Sequence, residues 1–222
     1  MPSGAVCATR VRSMTENRPD NVTFNARRGT AANGRSPRVT GDFTGTTDEI
    51  IQWAACKWGL DEDWARAQTS VESGWNQRIM GDFTTNSSAC IPAFPIGNYP
   101  PQWNGDATHN GQCPESIGLI QDRYAYHTEA FQGNNAVAST AYNVDYGYAV
   151  WRSCFEGEMG WLNTLEHSGT YAAGDQLGCM GVWFSGRWKT AAANDYMSKV
   201  QTNFNTKVWL ASNWPPAVPD GG

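Results

Sequence analysis

Helical periodicity is the strongest signal in this chain, and it begins at Thr46. Thr46 and Glu49 have capping-box spacing, and Ile51, Ala54, Ala55 and Trp58 then fall on one helical face. Gly59 is a natural stop. Asp61 can cap a second helix, with Glu62 and Asp63 at its positive dipole end. The apolar stripe of that helix is Trp64, Ala67 and Val71, and Gly74 closes it. A very short link makes the pair antiparallel. Later, Val137, Ala141, Val144, Tyr148, Trp151 and Phe155 recur at helical spacing and predict one long, deeply buried helix. Shorter segments follow from Trp161 to Leu165 and from Asp175 to Phe184, and Tyr196, Val200, Phe204 and Val208 mark a final helix. Strand signals are scarce, and Ile117 to Ile120 is the best of them.

Two stretches lack any period. Residues 1–45 are polar and punctuated by Asn33-Gly34 and Ser36-Pro37, which predicts an N-terminal arm packed on the domain and pinned through Cys7. Residues 75–116 hold Pro92, Pro95, Pro100, Pro101 and Pro114 between turn pairs. A loop that long inside a compact domain is usually functional. A bridge between Cys90 and Cys113 would keep it folded without a core of its own. The expected architecture is mainly α: one domain over 46–214 with a small irregular or β insertion after the second helix, and a tail from 215 to 222.

Composition narrows the function. The chain has 222 residues and a net charge of −5 with no basic block, which argues against nucleic-acid binding. No segment approaches the roughly 18 apolar residues of a membrane span. Six cysteines without C-x-x-C or His at ligand spacing disfavour zinc and read as three disulfides formed in an oxidising compartment. The pairing stays open at this stage. No secretory leader is visible, so the expectation is a secreted form whose signal peptide has been removed. His109, His127 and His167 share no catalytic spacing with Ser or Cys, and no cofactor or metal is expected. Eleven tryptophans are the unusual number. Trp53, Trp58, Trp64 and Trp151 belong to helical segments and read as packing, whereas Trp75, Trp103, Trp183 and Trp188 cluster around the segments below.

Glu72 carries the most suggestive chemistry. It follows the stripe residue Val71 in the last turn of the second helix, so partial burial and the negative dipole end both disfavour its carboxylate. A carboxylic acid that keeps its proton near neutral pH is what a leaving glycosidic oxygen needs. The bland alternative is a surface glutamate at a helix end.

Glu72-Ser73, followed by Gly118-Leu119-Ile120-Gln121 and then Asn143-Val144-Asp145-Tyr146-Gly147-Tyr148, resembles the ordered motifs of soluble lytic transglycosylases and goose-type lysozymes. The match runs from about Asp48 to Trp188. The family's A-Y-N-x-G segment is represented only by Trp183-Phe184-Ser185-Gly186, and the insertion between Glu72 and Gly118 is long.

The resemblance implies a lysozyme-like fold, a monomer, that breaks β-1,4 bonds of peptidoglycan or a related glycan with Glu72 as general acid. Within it, Gly118 would let backbone approach a sugar ring, Gln121 would bond sugar or position Glu72, and Ser73 would act locally beside the acid. Asp82 is the first choice for a second carboxylate, ahead of Asp106 and Asp122, with Asp145 as an outside choice whose bland reading is an exposed helical face. Trp75, Phe94, Tyr99, Trp103, Tyr142, Trp183 and Trp188 are choices for sugar stacking, and Asn143 for substrate binding. Hydrolysis and transglycosylation stay unseparated, as do a chitin- or chitosan-like substrate and a non-catalytic, carbohydrate-binding cell-wall protein.

Overall fold

The computed structural model describes residues 1–29, 36–98, 109–164, 167 and 169–216. About 51% of the chain is helical, so the fold is mainly α. Two short helices, α1 (Gly4–Ala8) and α2 (Val22–Asn25), lie in the N-terminal segment. The antiparallel pair α3 (Thr47–Trp58) and α4 (Glu62–Ser73) follows. Thr46 and Glu49 close a reciprocal capping box on α3, and Gly59 ends it in the left-handed conformation. Asp61 accepts from the backbone N–H groups of Asp63 and Trp64 to start α4, and Gly74 ends that helix in the same left-handed way.

The irregular insertion comes next and is anchored by a small antiparallel sheet. Its strands β1 (Met80–Gly81), β2 (Ser116–Ile117) and β3 (Asp122–Arg123) pair in the order β1-β2-β3, with Met80 opposite Ile117 and Ser116 opposite Arg123. Of the strand expected over Ile117 to Ile120, only Ile117 is realised; residues 118–120 form a turn. Gly118 has φ +94° and turns the chain, and Gln121 at φ +56° turns it again into β3.

The helix expected to run unbroken from Val137 is split. Val137 lies in α5 (Asn135–Ala138), and α6 (Thr140–Phe155) begins after Ser139. Ser139 has an extended backbone; its hydroxyl accepts from the Tyr142 N–H and donates to the Arg27 carbonyl. Capping has won over continuing the stripe. Two helices, α7 (Gln176–Ser185) and α8 (Ala191–Thr206), complete the bundle. Val208 falls outside α8, because Lys207 ends the helix in the left-handed region. The segment from Trp161 is a single 3-10 turn over Gly160–Asn163, and Leu165 lies outside the described residues. In the packing, α3 lies against α6, and α8 against α4 and α7.

Three disulfides join Cys7 to Cys56, Cys90 to Cys113 and Cys154 to Cys179. The first ties α1 to α3, the second closes the insertion, and the third ties the end of α6 to α7. No helix among the described residues is long and apolar enough to cross a membrane.

Asp145 does not lie on an exposed face of α6. It is fully buried and pairs with Lys57 Nζ at 2.6 Å, while accepting from Trp58 Nε1 and from the backbone N–H groups of Thr40 and Gly41. The pair binds α6, α3 and the N-terminal segment at one point. Removing one member of a buried pair leaves the other charge uncompensated. Asp145→Ala is therefore expected to lower unfolding free energy by about 3–5 kcal/mol in urea denaturation. A loss no larger than that of a surface substitution would contradict this role.

Candidate active site

Helix α4 delivers Glu72 in its last turn, and helix α8 brings Tyr196 against it. The Tyr196 hydroxyl donates to Glu72 Oε1 at 2.5 Å. Tyr196 and Tyr148 are both buried, and the Glu72 charge helps to push both phenols well above their ordinary pKa. Gln68, one turn before Glu72 on α4, lies beside Tyr196 and partly offsets the rise of its pKa. Glu72 keeps part of its surface open while protein atoms crowd its carboxyl. That desolvation raises its pKa to about 8, and the charge of Asp82 raises it too, against the opposing hydrogen bond from Tyr196. The group is a neutral acid at neutral pH.

Helix α6 holds the opposite wall. Asn143 donates through Nδ2 to the Ile117 carbonyl and to Asp122 Oδ2, and accepts at Oδ1 from the Ile120 N–H. Gln77 accepts the Leu119 N–H at 3.1 Å. Ser73 Oγ donates to the Leu119 carbonyl at 2.9 Å, so the residue beside the acid is bonded to the Gly118–Gln121 turn. A Cβ on Gly118 would lie 2.4 Å from Asn143 Nδ2, and one on Gly147 would lie 2.7 Å from Ile120. These two glycines exist to let helix and turn touch. Asp122 beneath the turn is fully buried, and burial followed by the charges of Glu129 and Glu72 holds its carboxyl well above the ordinary value.

No family model, curated protein or solved structure matches this chain. The site therefore has to be read from its own geometry.

That geometry sorts the residues singled out in the sequence. Glu72 and Asp82 are brought together, close enough for one charge to shift the other. Asp82 is exposed, sits at φ +53°, and accepts from the Ser116 hydroxyl. Trp183 flanks a cavity of about 520 Å³ and donates through Nε1 to the Ile120 carbonyl at 2.8 Å. Gln121 lines the same cavity, but its Nε2 is occupied by the carbonyls of Ile79 and Gly118 rather than by Glu72.

Several expectations change. Gly118 meets Asn143 rather than a sugar, and Asn143 is itself fully buried as the clamp just described. Ser73 has its hydroxyl spent on the backbone carbonyls of Thr69 and Leu119. Trp75, only 1% exposed, donates to the Arg66 carbonyl and packs edge-on to Trp214. Tyr142 is buried against Gly29 and Gly41 of the N-terminal segment. Phe94 and Trp188 are buried too. None of these rings can stack on a sugar, because an apolar ring beside an irregular segment finds core as readily as cleft. Trp103, Tyr99 and Asp106 lie outside the described residues.

Tyr196, Tyr148 and Gln68 were missed as neighbours of the acid. Gln68 had a readable signal, since it lies one helical turn before Glu72 on the same face. Tyr196 had none, because its meeting with Glu72 depends on how α8 packs on α4. Two other cavities, of about 570 and 530 Å³, are lined by the N-terminal segment with α3 and with α6, and Glu72 lines none of the three.

The raised acidity constant has a thermodynamic signature. Glu72 holds its proton to about 8 when folded, against an ordinary value of 4.5. Between those values the folded state binds more protons than the unfolded one, so the contribution of Glu72 to stability falls as pH rises. Glu72→Gln removes that dependence. Melting temperatures measured from pH 4.5 to pH 8 should show the variant gaining on wild type throughout this window, and a pH-independent difference would refute the raised value.

Proposed function

We propose that this chain is a secreted glycan-cleaving enzyme in which Glu72 protonates the leaving glycosidic oxygen. The observation that carries the reading is a carboxyl kept neutral to about pH 8 by desolvation, held in place by Tyr196, with part of its surface left open. Glycosidic cleavage needs such a group, because an alkoxide is a poor leaving group until it is protonated. The ordered segments around it support a lysozyme-like domain acting on β-1,4 bonds, with peptidoglycan as the leading substrate. Three disulfides suit an extracellular protein.

Asp82 is the partner carboxylate of this reading. It is exposed, it lies 3.9 Å from the Arg123 guanidinium, and its charge reaches the acid. In a hydrolase it would activate water on the opposite face of the sugar; in a transglycosylase or a substrate-assisted enzyme it would steady positive charge on the ring. Asp122 is the weaker choice, because a fully buried carboxyl cannot meet substrate water. Asp145 is excluded by its pairing with Lys57.

Incubation with purified peptidoglycan tests the reading. Wild type should release soluble fragments, and Glu72→Gln should reduce release about 10²–10⁴-fold while remaining folded. Activity should fall as pH climbs through about 8, where Glu72 loses its proton. A new reducing end in the product identifies hydrolysis and an anhydro sugar identifies intramolecular attack. Full activity in Glu72→Gln would remove Glu72 from the mechanism.

A further inference from the structure

The 520 Å³ cavity that Trp183 and Gln121 line has no role in the acid chemistry described so far. It lies between the turn that follows β3, the segment around Trp161, and the C-terminal half of α7. Its volume falls in the range of roughly 300–1,000 Å³ typical of small-ligand sites. Aromatic rings line much of it, and several are open to solvent: Tyr126 is 72% exposed, Phe184 54% and Trp161 47%. Exposed rings this large are uncommon unless they meet something.

Each of these rings is held against a neighbouring side chain. Trp183 is pinned by its hydrogen bond to Ile120 and stacked on His127, with ring centroids 5.2 Å apart and planes 12° apart. Trp161 meets the His167 ring edge-on at 4.8 Å. The Arg123 guanidinium lies over Tyr126 at 5.2 Å, and Glu115 engages that guanidinium in turn. Phe184 stacks on Tyr196 at 4.6 Å with planes 3° apart, and Tyr196 is the residue that holds Glu72. Rings held this way lose little freedom when a ligand arrives, which is the condition for efficient stacking on the CH faces of pyranose rings.

We infer that this cavity is a sugar-binding subsite adjoining the Glu72 site, with Trp161, Tyr126 and Phe184 as its platforms. The occupant is the neutral or N-acylated stretch of the same glycan chain whose bond Glu72 cleaves, so the inference rests on the proposed function. Glu72 does not itself line the cavity; proximity comes from Phe184 and Gln121, which line it while contacting, respectively, the tyrosine that holds the acid and the turn bonded to Ser73. Charge excludes one chemical class. No Asp or Glu occurs among the described residues that line the cavity, whereas Arg123 and Arg187 do. A polymer of free amino sugars would find no anion there.

Binding and cleavage can be read separately. Soluble N-acetylglucosamine oligomers should bind the Glu72→Gln protein in calorimetric titration, and fully deacetylated oligomers should bind it far less. Added to that background, Trp161→Ala and Tyr126→Ala should each weaken binding by about 3- to 10-fold. Both side chains are exposed, so melting temperatures should stay unchanged. In the cleaving protein, the same substitutions should shift the length distribution of the products. Unchanged affinity and unchanged product lengths would overturn the subsite, as would equal binding of the deacetylated oligomers. If wild type cuts no glycan yet loses oligomer binding in Trp161→Ala, the subsite stands and the catalytic reading falls.

Discussion

A helix buried on nearly every face must find partners for its polar side chains, and in α6 that obligation organises the whole molecule. Two of its residues, Asn143 and Asp145, are fully buried yet strongly polar. An unpaired amide or carboxylate in that position would cost more than most single contacts contribute. Asp145 meets the demand with Lys57, Trp58 and the backbone of residues 40 and 41. Asn143 meets it with the backbone around Gly118. One helix thus fixes the N-terminal segment with one residue and the turn beside Glu72 with the other.

The environment of Glu72 follows from the same frame. Once Asn143 and Gln77 hold the Gly118–Gln121 turn, Ser73 can bond to it and the end of α4 is located. Helix α8 then closes on α4 and places the Tyr196 hydroxyl on the carboxyl. Tyr196 stabilises the charged form of Glu72 while burial opposes it, and burial prevails. The result is an acid whose position is set by a hydrogen bond and whose protonation is set by desolvation working against that same bond.

Local rules were readable from the chain, and tertiary ones were not. The bounds of α3 and α4 were legible because Thr46, Glu49, Asp61, Gly59 and Gly74 act within a few residues of themselves. The raised pKa of Glu72 was legible in part: the stripe edge pointed to burial, which is its leading cause, whereas the contributions of Asp82 and Tyr196 come from outside the helix. The tryptophans behaved otherwise. Trp75 and Trp188 sit beside the supposed catalytic segments in sequence and inside the core in space, while Trp161, assigned no role, is open to solvent. Which face of an irregular segment turns inward is decided by distant elements, here Trp214 against Trp75 and Tyr171 against Trp188. Gly118 repeats the point: its missing Cβ was legible as a need for close approach, but the partner is Asn143.

The N-terminal segment reaches further into the site than its distance in sequence suggests. Arg18 donates to the carbonyls of Gly74 and Pro216, and Asn21 donates to the carbonyl of Trp75 while accepting from the N–H of Gln77. The stretch that leaves the acid is therefore stitched to residues more than fifty positions earlier, and Arg18 gathers residues from near both ends of the chain behind it. Closing such spans costs chain entropy, so the stretch after the acid is held by contacts that only the folded chain supplies.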